Sequence, residues 1–305
     1  MKKYVIGAVI GLLFCGTAWA SGSIPAAFAD IGLARMSGMG KAFVAVADDA
    51  SSVFYNPAGI ATSSYKDMTF MYAKQKFIIP YNYFAFIYPI SKLRGIGFGT
   101  IISGDTLFSE KTFMLSYSEN LDRILVLLKD VYAGASFKLH FAGYGDNESD
   151  DSPLKVQGGA WGVGMDFGFL WDITSQVRFG LMLRDTISWL TWSSNRSDSA
   201  SEEGVPLTTD VGLRYRISEF LGTVEISDMH RIKIGLEQTL FRYIDLRAGY
   251  TRTLDIEHEQ EYALGLGVGK FEFGAKREFS MNFDFSFAFE RLENTFKAQT
   301  SFKFK

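Results

Sequence analysis

Short segments in which apolar and polar residues alternate are the feature that most constrains the fold of this chain. The clearest one places four phenylalanines on one face and polar residues on the other: Phe283, Phe285, Phe287 and Phe289 against Asn282, Asp284, Ser286 and Glu290. A period of two is that of a β-strand. The same alternation recurs in residues 211–217, 232–237, 244–250 and 296–304. The sequence therefore predicts an all-β protein.

Charged residues on one face of so many strands argue against a water-soluble sandwich, whose inner face must be apolar. A closed barrel with lipid outside and a polar lumen inside accommodates both faces. The composition agrees, since 15% of the residues are aromatic, with 28 phenylalanines suited to a lipid-facing surface and 30 glycines suited to a crowded inner one. We predict a transmembrane antiparallel β-barrel.

The segment from Trp161 to Trp171 gives the height of the predicted barrel. Its large apolar residues share one face, and glycines and Asp166 share the other. Ten residues at ~3.3 Å each, tilted by ~40°, span roughly 25 Å, which is the height of the apolar band of such barrels. The two tryptophans then mark the two membrane interfaces, although a long buried strand with a tryptophan at each end is the alternative. The inner glycines indicate that another part of the chain packs close to this wall.

Counted along the chain, the alternating segments predict fourteen strands: 67–75, 81–90, 94–104, 111–119, 131–143, 158–171, 176–187, 206–216, 220–227, 230–240, 244–253, 259–276, 280–291 and 294–305. The count treats 259–276 as one strand, because single-chain barrels usually have an even number. Long polar connections at 145–155 and 188–204 are expected outside the cell. Residues 120–129 fit either a small helix or an extension of a strand.

Residues 1–20 have the features of a secretory signal peptide: two lysines, an apolar run and a small-residue cleavage site near Ala20. The apolar run is too short to span a bilayer, and no later run approaches the ~20 residues of a transmembrane helix. The single cysteine, Cys15, lies in this leader, so the mature chain is expected to contain none. A lipoprotein leader is the alternative, although Phe14 stands where a small residue is required.

The stretch from Gly38 to Gly59 is predicted to be neither a regular strand nor a long helix. Its glycines allow backbone angles that other residues avoid, Asp48-Asp49 offers acceptors to free N–H groups, and Asn56-Pro57 favours a turn. Such a segment holds one irregular shape only when something encloses it. We therefore expect it to lie inside the barrel.

Four short motifs in and around this stretch resemble the amino-terminal signature of the FadL-type outer-membrane transporters and their PorV-like relatives. They are Ala34-Arg35, Gly38-Met39-Gly40-Lys41-Ala42-Phe43, Ala47-Asp48-Asp49-Ala50 and Asn56-Pro57-Ala58-Gly59. In that family the signature forms a hatch in the lumen of a fourteen-stranded barrel. The barrel passes long-chain fatty acids or other hydrophobic compounds, whereas the PorV-like members imply a scaffold for secretion or surface assembly. Lys41 departs from the small residue expected there, and the chain is shorter than the fatty-acid transporters.

The resemblance implies three parts: a signal peptide (1–20), an N-terminal hatch (21–64) and a transmembrane β-barrel (65–305) in the outer membrane of a diderm bacterium. Its implied activity is passive uptake of a long-chain fatty acid or another hydrophobic or amphipathic ligand. The alternative is a non-transporting scaffold that binds an outer-membrane or secretion protein. The lipid bilayer is a partner in either case.

Two sets of candidate site residues follow. The expected hatch and gating residues are Gly38, Gly40, Asp48, Asp49, Asn56, Pro57, Ala58 and Gly59. The candidate ligand-binding residues of the lumen are Phe43, Phe54, Tyr55, Arg178, Arg184, Arg214, Arg216, Lys233 and Arg247. The basic residues either pair with inward carboxylates and with the hatch, or one or two of them receive the carboxylate of an amphipathic ligand. The hatch residues likewise either cap its turns or contact the ligand.

Other chemistry has little support. His140, His230 and His258 are scattered without cysteines or carboxylates at metal-ligand spacing, so neither a metal nor a cofactor is expected. A membrane-embedded hydrolase built around His140 is the one enzymatic alternative, and we predict that the chain is not an enzyme. Without Lys2 and Lys3 the mature chain has 29 basic and 34 acidic residues, which does not favour nucleic acid.

Overall fold

The computed structural model describes residues 31–75, 78–125, 129–145, 155, 157–195, 200–254, 259–273, 278–289 and 294–304. The predicted signal peptide and its cleavage site lie outside the described residues, as do His258, Glu290 and most of the 145–155 connection.

The described strands form one continuous antiparallel sheet. They are β1 (Lys66–Gln75), β2 (Ile79–Ser91), β3 (Arg94–Gly104), β4 (Phe108–Asn120), β5 (Val131–Tyr144), β6 (Gly158–Asp172), β7 (Val177–Ser194), β8 (Ser201–Glu203), β9 (Thr208–Ile217), β10 (Phe220–Ser227), β11 (Arg231–Leu240), β12 (Ile244–Thr253), β13 (Gln260–Phe273), β14 (Phe279–Phe289) and β15 (Thr295–Phe304). β1 pairs with β15, so the sheet closes on itself. β8 and β9 both pair with the same edge of β7 and together fill one position in the wall. The predicted barrel of fourteen strands is thus confirmed.

The two faces of the strands are as predicted. In β14, Asp284 points inward and is 1% exposed, whereas its neighbour Phe285 points outward and is 37% exposed. The outward aromatic residues pack on one another across strands, as Phe70 does on Phe84 with ring centroids 4.8 Å apart. We call the end where β1 begins and β15 ends the base of the barrel, and the opposite end the top.

One predicted boundary was wrong. The expected loop 188–204 begins later, because β7 continues to Ser194 and pairs with β6 and β8. Aromatic packing accounts for this extension, since Trp189 of β7 lies against Trp161 of β6 with ring centroids 4.7 Å apart. The interpretation of 259–276 as one strand is supported by β13, which runs through a register shift between Gly269 and Phe271.

The connection after β4 begins with a turn. Asn120 Oδ1 accepts a hydrogen bond from the N–H of Asp122 at 2.9 Å, and Leu121 O accepts from Ile124 and Leu125 at 2.8 Å. The described part of this connection is therefore a capped turn and not an extension of the strand.

Residues 31–65, which we call the inner segment, precede β1 and pack against the inner face of the wall. The segment contains the short helices α1 (Ala34–Gly38) and α2 (Ser52–Tyr55) and a 3₁₀ helix (Pro57–Thr62). Most of its residues from 33 to 61 are buried. Among the described residues, no helix is long and apolar enough to cross a membrane.

Candidate functional site

Glycines on the inner face of the wall allow the inner segment to pack closely against it. A Cβ on Gly249 of β12 would lie 1.9 Å from the N atom of Gly40, and one on Gly168 of β6 would lie 2.1 Å from Asn56 Oδ1. These distances are too short for any side chain, so glycine is required at these two positions. Other wall glycines that lie close to the inner segment are Gly95, Gly97, Gly99, Gly134, Gly180, Gly212, Gly235 and Gly265. The glycine-rich strand faces seen in the sequence therefore mark the path of the inner segment.

Asn56 joins the inner segment to strands β6 and β7 of the wall by hydrogen bonds. Its Nδ2 donates to Val44 O at 2.9 Å, to Phe169 O at 3.2 Å and to Leu181 O at 3.3 Å. Its Oδ1 accepts from the N–H of Ala58 at 3.2 Å and so caps the 3₁₀ helix that begins at Pro57. The Asn56-Pro57 turn thus joins two stretches of the segment to β6 and β7.

Arg35 is the centre of an ionic network beneath α1. Its Nη1 lies 2.6 Å from Asp48 Oδ1 and 2.7 Å from Asp49 Oδ2, and its Nε lies 3.0 Å from Glu237 Oε2. Glu237 of β11 also binds Arg247 of β12, whose Nε lies 2.7 Å from Glu237 Oε2. The network joins two parts of the inner segment to each other and to the wall. Sequence reasoning did not place Arg35 among the site residues, although it belongs to the signature motif.

The pKa of Asp48 responds to this network. Burial alone would raise the pKa of the carboxyl group, but the charges of Arg35 and Arg216 outweigh burial and hold it well below its ordinary value. Burial opposes the charged form of Arg35 too, yet the three carboxylates around it raise its pKa well above the usual value. Both groups therefore remain ionised at neutral pH.

The structure places every predicted basic residue of the lumen beside a carboxylate. The nearest pairs are Arg178 with Asp172 at 2.5 Å, Arg184 with Asp210 at 3.0 Å, Arg214 with Asp172 at 3.7 Å, Arg216 with Asp48 at 2.7 Å, Lys233 with Glu225 at 2.6 Å and Arg247 with Asp284 at 2.7 Å. Lys41, the departure from the signature, has a positive φ of 62° and binds Glu261 at 2.5 Å. The geometry is that of the first alternative, in which the bases pair with inward carboxylates and with the segment.

The three candidate aromatic residues form the interior of the inner segment. Phe43 and Tyr55 pack edge to face with centroids 5.9 Å apart, and the Tyr55 hydroxyl accepts from the N–H of Leu33 at 2.8 Å. Phe54 packs against Tyr83 of β2 at 5.5 Å. Of the three, Phe54 borders open space in the lumen.

Two cavities lie on opposite sides of α1. The one toward the top, which we call the vestibule, has a volume of about 560 Å³ and reaches Met36 and Lys41 of the inner segment. The basal cavity has a volume of about 310 Å³ and reaches Arg35 and Asp48. The two cavities share no lining residue. The inner segment therefore separates them.

The described part of the wall is interrupted beside the vestibule. β7 pairs with β9 up to Arg184 and with β8 from Leu190, so that no ladder pairs join residues 185–189 of β7 to the facing residues 204–207. The N–H of Val205 donates a hydrogen bond to Ser188 Oγ across this interruption at 2.5 Å. We call this interruption the seam. β7 has a bulge at the same place. The two residues of β6 that flank Asp166 pair with residues 187 and 183 of β7, so three residues of β7 lie opposite Asp166.

Sequence reasoning missed the seam, although Pro206 offered a signal. Proline has no N–H to donate to a ladder and is usually found at strand edges or bulges. Arg184 and Asp185 of the β7 bulge and Val205 of the facing stretch also line the vestibule. The seam thus borders the vestibule.

No protein-family model matches the sequence, and no curated protein is significantly similar to it. In the residues that the structure describes, no group of three or more histidine, cysteine, aspartate or glutamate residues is placed to hold a metal ion.

Several solved structures resemble the chain. A FadL homologue of Pseudomonas aeruginosa has a TM-score of 0.60 and 11% identity, over 89% of this chain and 98% of that one. The Pseudomonas putida toluene transporter TodX has a TM-score of 0.58 and 12% identity, over 90% and 98%. The CymD monoaromatic hydrocarbon channel has a TM-score of 0.57 and 13% identity, over 88% and 95%. At these identities the likeness shows the fold, and the chain has the barrel fold of the FadL-type outer-membrane transporters.

Proposed function

We propose that this chain is an outer-membrane channel for the passive uptake of a hydrophobic compound. The observation that carries the proposal is the vestibule, a cavity with an apolar side that borders the seam in an outwardly apolar wall. The likeness to a toluene transporter and to a monoaromatic hydrocarbon channel supports the same activity. Long-chain fatty acids are the finer ligand class that the sequence resemblance implies. The proposed location requires removal of the signal peptide near Ala20.

In this proposal the inner segment, with the residues that precede it, is the hatch. Its burial within the wall and the separation of the two cavities support that role. Gly38, Gly40 and Gly59 permit its close fit, Asp48 and Asp49 bind Arg35, and Asn56-Pro57-Ala58 fixes it to β6 and β7. The hatch would prevent leakage between the vestibule and the base.

The seam is the proposed exit. The vestibule shares no lining residue with the basal cavity, whereas it borders the seam, where no ladder pairs join residues 185–189 of β7 to residues 204–207. Ile187, on the β7 side of the seam, has an exposed fraction of 58%, so the surface beyond it is apolar. Sideways release into lipid would keep an apolar ligand out of water throughout.

Uptake of toluene and methyl oleate tests the proposal. The full chain is reconstituted into liposomes that carry lipopolysaccharide in the outer leaflet and contain albumin as a sink. We expect initial uptake of at least one ligand several-fold above that of liposomes without protein. Uptake of both ligands at the protein-free rate would contradict the proposal.

The alternative function is a non-transporting scaffold of the PorV-like kind. The ion pairs of the lumen and the closed boundary between the cavities favour it. A scaffold would give no uptake in the liposome assay, and the tagged chain would retain a defined outer-membrane or secretion protein when purified from its native membrane.

A further inference from the structure

We propose that the vestibule selects uncharged ligands and rejects carboxylates. This inference rests on the proposed uptake function and assigns its ligand class. It excludes an ionised fatty acid as the preferred ligand. The grounds are the apolar side of the cavity and the pairing of its positive charges.

The apolar side of the vestibule joins the inner segment to the wall. Ile31 and Met36 come from the inner segment, Ile101 from β3 and Met114 from β4, and each is 6% or 7% exposed. Together with Phe54 they belong to one packed cluster. The side chains of this cluster are aliphatic, thioether and aromatic, which favours contact with an apolar molecule.

The opposite side of the vestibule is ionic, and its cations already have partners. Lys233 lies 2.6 Å from Glu225, and both it and Arg184 bind Asp210. The Lys41 ammonium lies 2.5 Å from Glu261. A carboxylate arriving here would have to displace a carboxylate of the protein that is fixed in place.

Other basic groups on the lining do not change this balance. Lys297 is 2% exposed and donates to Ile31 O and Ser37 Oγ beneath the apolar side. Arg231 stands at the exposed rim beside two acidic residues, Asp228 and Glu259. The rim therefore adds no net positive charge.

The cluster around Lys138 is the strongest element of the inference. Lys138 is 5% exposed and its ammonium contacts two carboxylates, that of Asp166 at 2.7 Å and that of Asp185. With both aspartates ionised, the three side chains carry a net charge of −1. If one aspartate takes up a proton, the cluster is neutral. In neither state does Lys138 offer a positive charge, and a ligand carboxylate nearby would be repelled or unpaired.

A matched pair of ligands tests the inference. Methyl oleate and oleate have the same chain and differ in charge, so their initial uptake is compared in the same liposomes with the full wild-type chain. We expect the methyl ester to enter about tenfold faster than the carboxylate after protein-free rates are subtracted. Equal or faster uptake of oleate would overturn the inference and leave the proposed uptake function standing. Protein-free rates for methyl oleate and oleate would overturn the inference, and the proposed uptake function would fall only if toluene also entered at the protein-free rate.

Two variants place the selectivity at Lys138. Asp166→Asn with Asp185→Asn leaves the ammonium without a carboxylate partner, so oleate uptake is expected to rise several-fold relative to methyl oleate. Adding Lys138→Met to the same background removes that charge and should return the ratio to the wild-type value. Gel mobility before and after heating establishes that each variant is folded. A ratio that stays at the wild-type value in the folded double variant would contradict the role of this cluster.

Discussion

Arg35 and Glu237 are 202 residues apart in the chain and form a bidentate ion pair, with Nε to Oε2 and Nη2 to Oε1 both at 3.0 Å. One residue belongs to α1 and the other to the wall. The pair therefore couples the position of the inner segment to strand β11, and it is the most direct place to test the hatch.

Arg35→Gln should destabilise the folded barrel and make it leak. The change removes the arginine that three carboxylates share, so that Asp48 keeps Arg216 and Glu237 keeps Arg247. Breaking a buried ion pair typically costs about 3–5 kcal/mol. We expect a lower temperature for the heat-induced gel shift and raised single-channel conductance in planar bilayers.

Arg94→Gln is the matched control for Arg35→Gln. Arg94 binds Glu119 at 2.7 Å, but its side chain is 53% exposed at the base of the barrel. Neither the heat-induced shift nor the conductance should change. A leak of equal size in the two variants would mean that loss of an arginine, and not loss of the hatch contact, is responsible.

Acid should break the ion pairs of Asp48 only below the ordinary pKa of an aspartate. Because the pKa of Asp48 is lowered in the folded chain, its ion pairs contribute their full stability above about pH 4 and lose it as the pH falls through the folded value. Asp48→Asn should leak at neutral pH. The difference in conductance between this variant and wild type should stay constant from pH 7 to about pH 4 and shrink below that, as wild type also loses these pairs. A difference that already shrinks between pH 7 and pH 5 would contradict this assignment.

Gly249→Ala should displace the inner segment by steric contact alone. The added Cβ would meet the Gly40 backbone at 1.9 Å, so either the segment or β12 must move. We expect measurable leak without any change of charge. Gly143→Ala in β5 is the control, because a Cβ there meets nothing within 4 Å, and it should conduct as wild type does. If Gly249→Ala conducts as wild type does, the inner segment is not packed tightly against β12.

Asn56→Ala should weaken the attachment of the hatch to strands β6 and β7. It removes the donor to the carbonyl of Val44, in a buried hydrogen bond, and to those of Phe169 and Leu181, in partly buried ones. Leaving a buried carbonyl unsatisfied costs about 1–3 kcal/mol. The heat-induced shift should occur at a lower temperature, with a leak smaller than that of Arg35→Gln. Asn195→Ala is the control, since Asn195 bonds to Lys155 O on the exposed surface. A wild-type shift temperature in Asn56→Ala would argue that these bonds do not hold the segment.

A disulfide staple across the seam tests the route out of the vestibule. Ser188→Cys with Gly204→Cys closes the seam, where a Cβ on Gly204 would lie 3.8 Å from Ser188 Oγ. Under oxidation we expect this staple to reduce methyl oleate uptake several-fold and reductant to restore it. Uptake that oxidation leaves unchanged would place the route past the hatch.

The wall of the barrel could be predicted from the sequence because alternation is a local property. In a segment such as the one that contains Phe283, the lipid-facing and lumen-facing residues can be assigned from that segment alone. Ion-pair partners were not predictable in this way. Alternation places Arg247 and Glu237 on the inner face, but it does not give the register that brings both to Arg35.

The seam escaped prediction for a related reason. The prediction treated 206–216 as one uniform strand, and the observed pairing depends on how β7 bulges opposite Asp166. The packing of Trp189 on Trp161 that extends β7 is likewise a contact between strands, which no single segment reveals.

The pairing of β1 with β15 sets a condition on assembly. The inner segment directly precedes β1, and the strand that closes the ring beside β1 is made from the last described residues of the chain. The ring cannot be complete before those residues are synthesised and delivered. The inner segment therefore cannot be enclosed until β15 has paired with β1, so the order of strand pairing governs when this buried part of the chain is shielded from solvent.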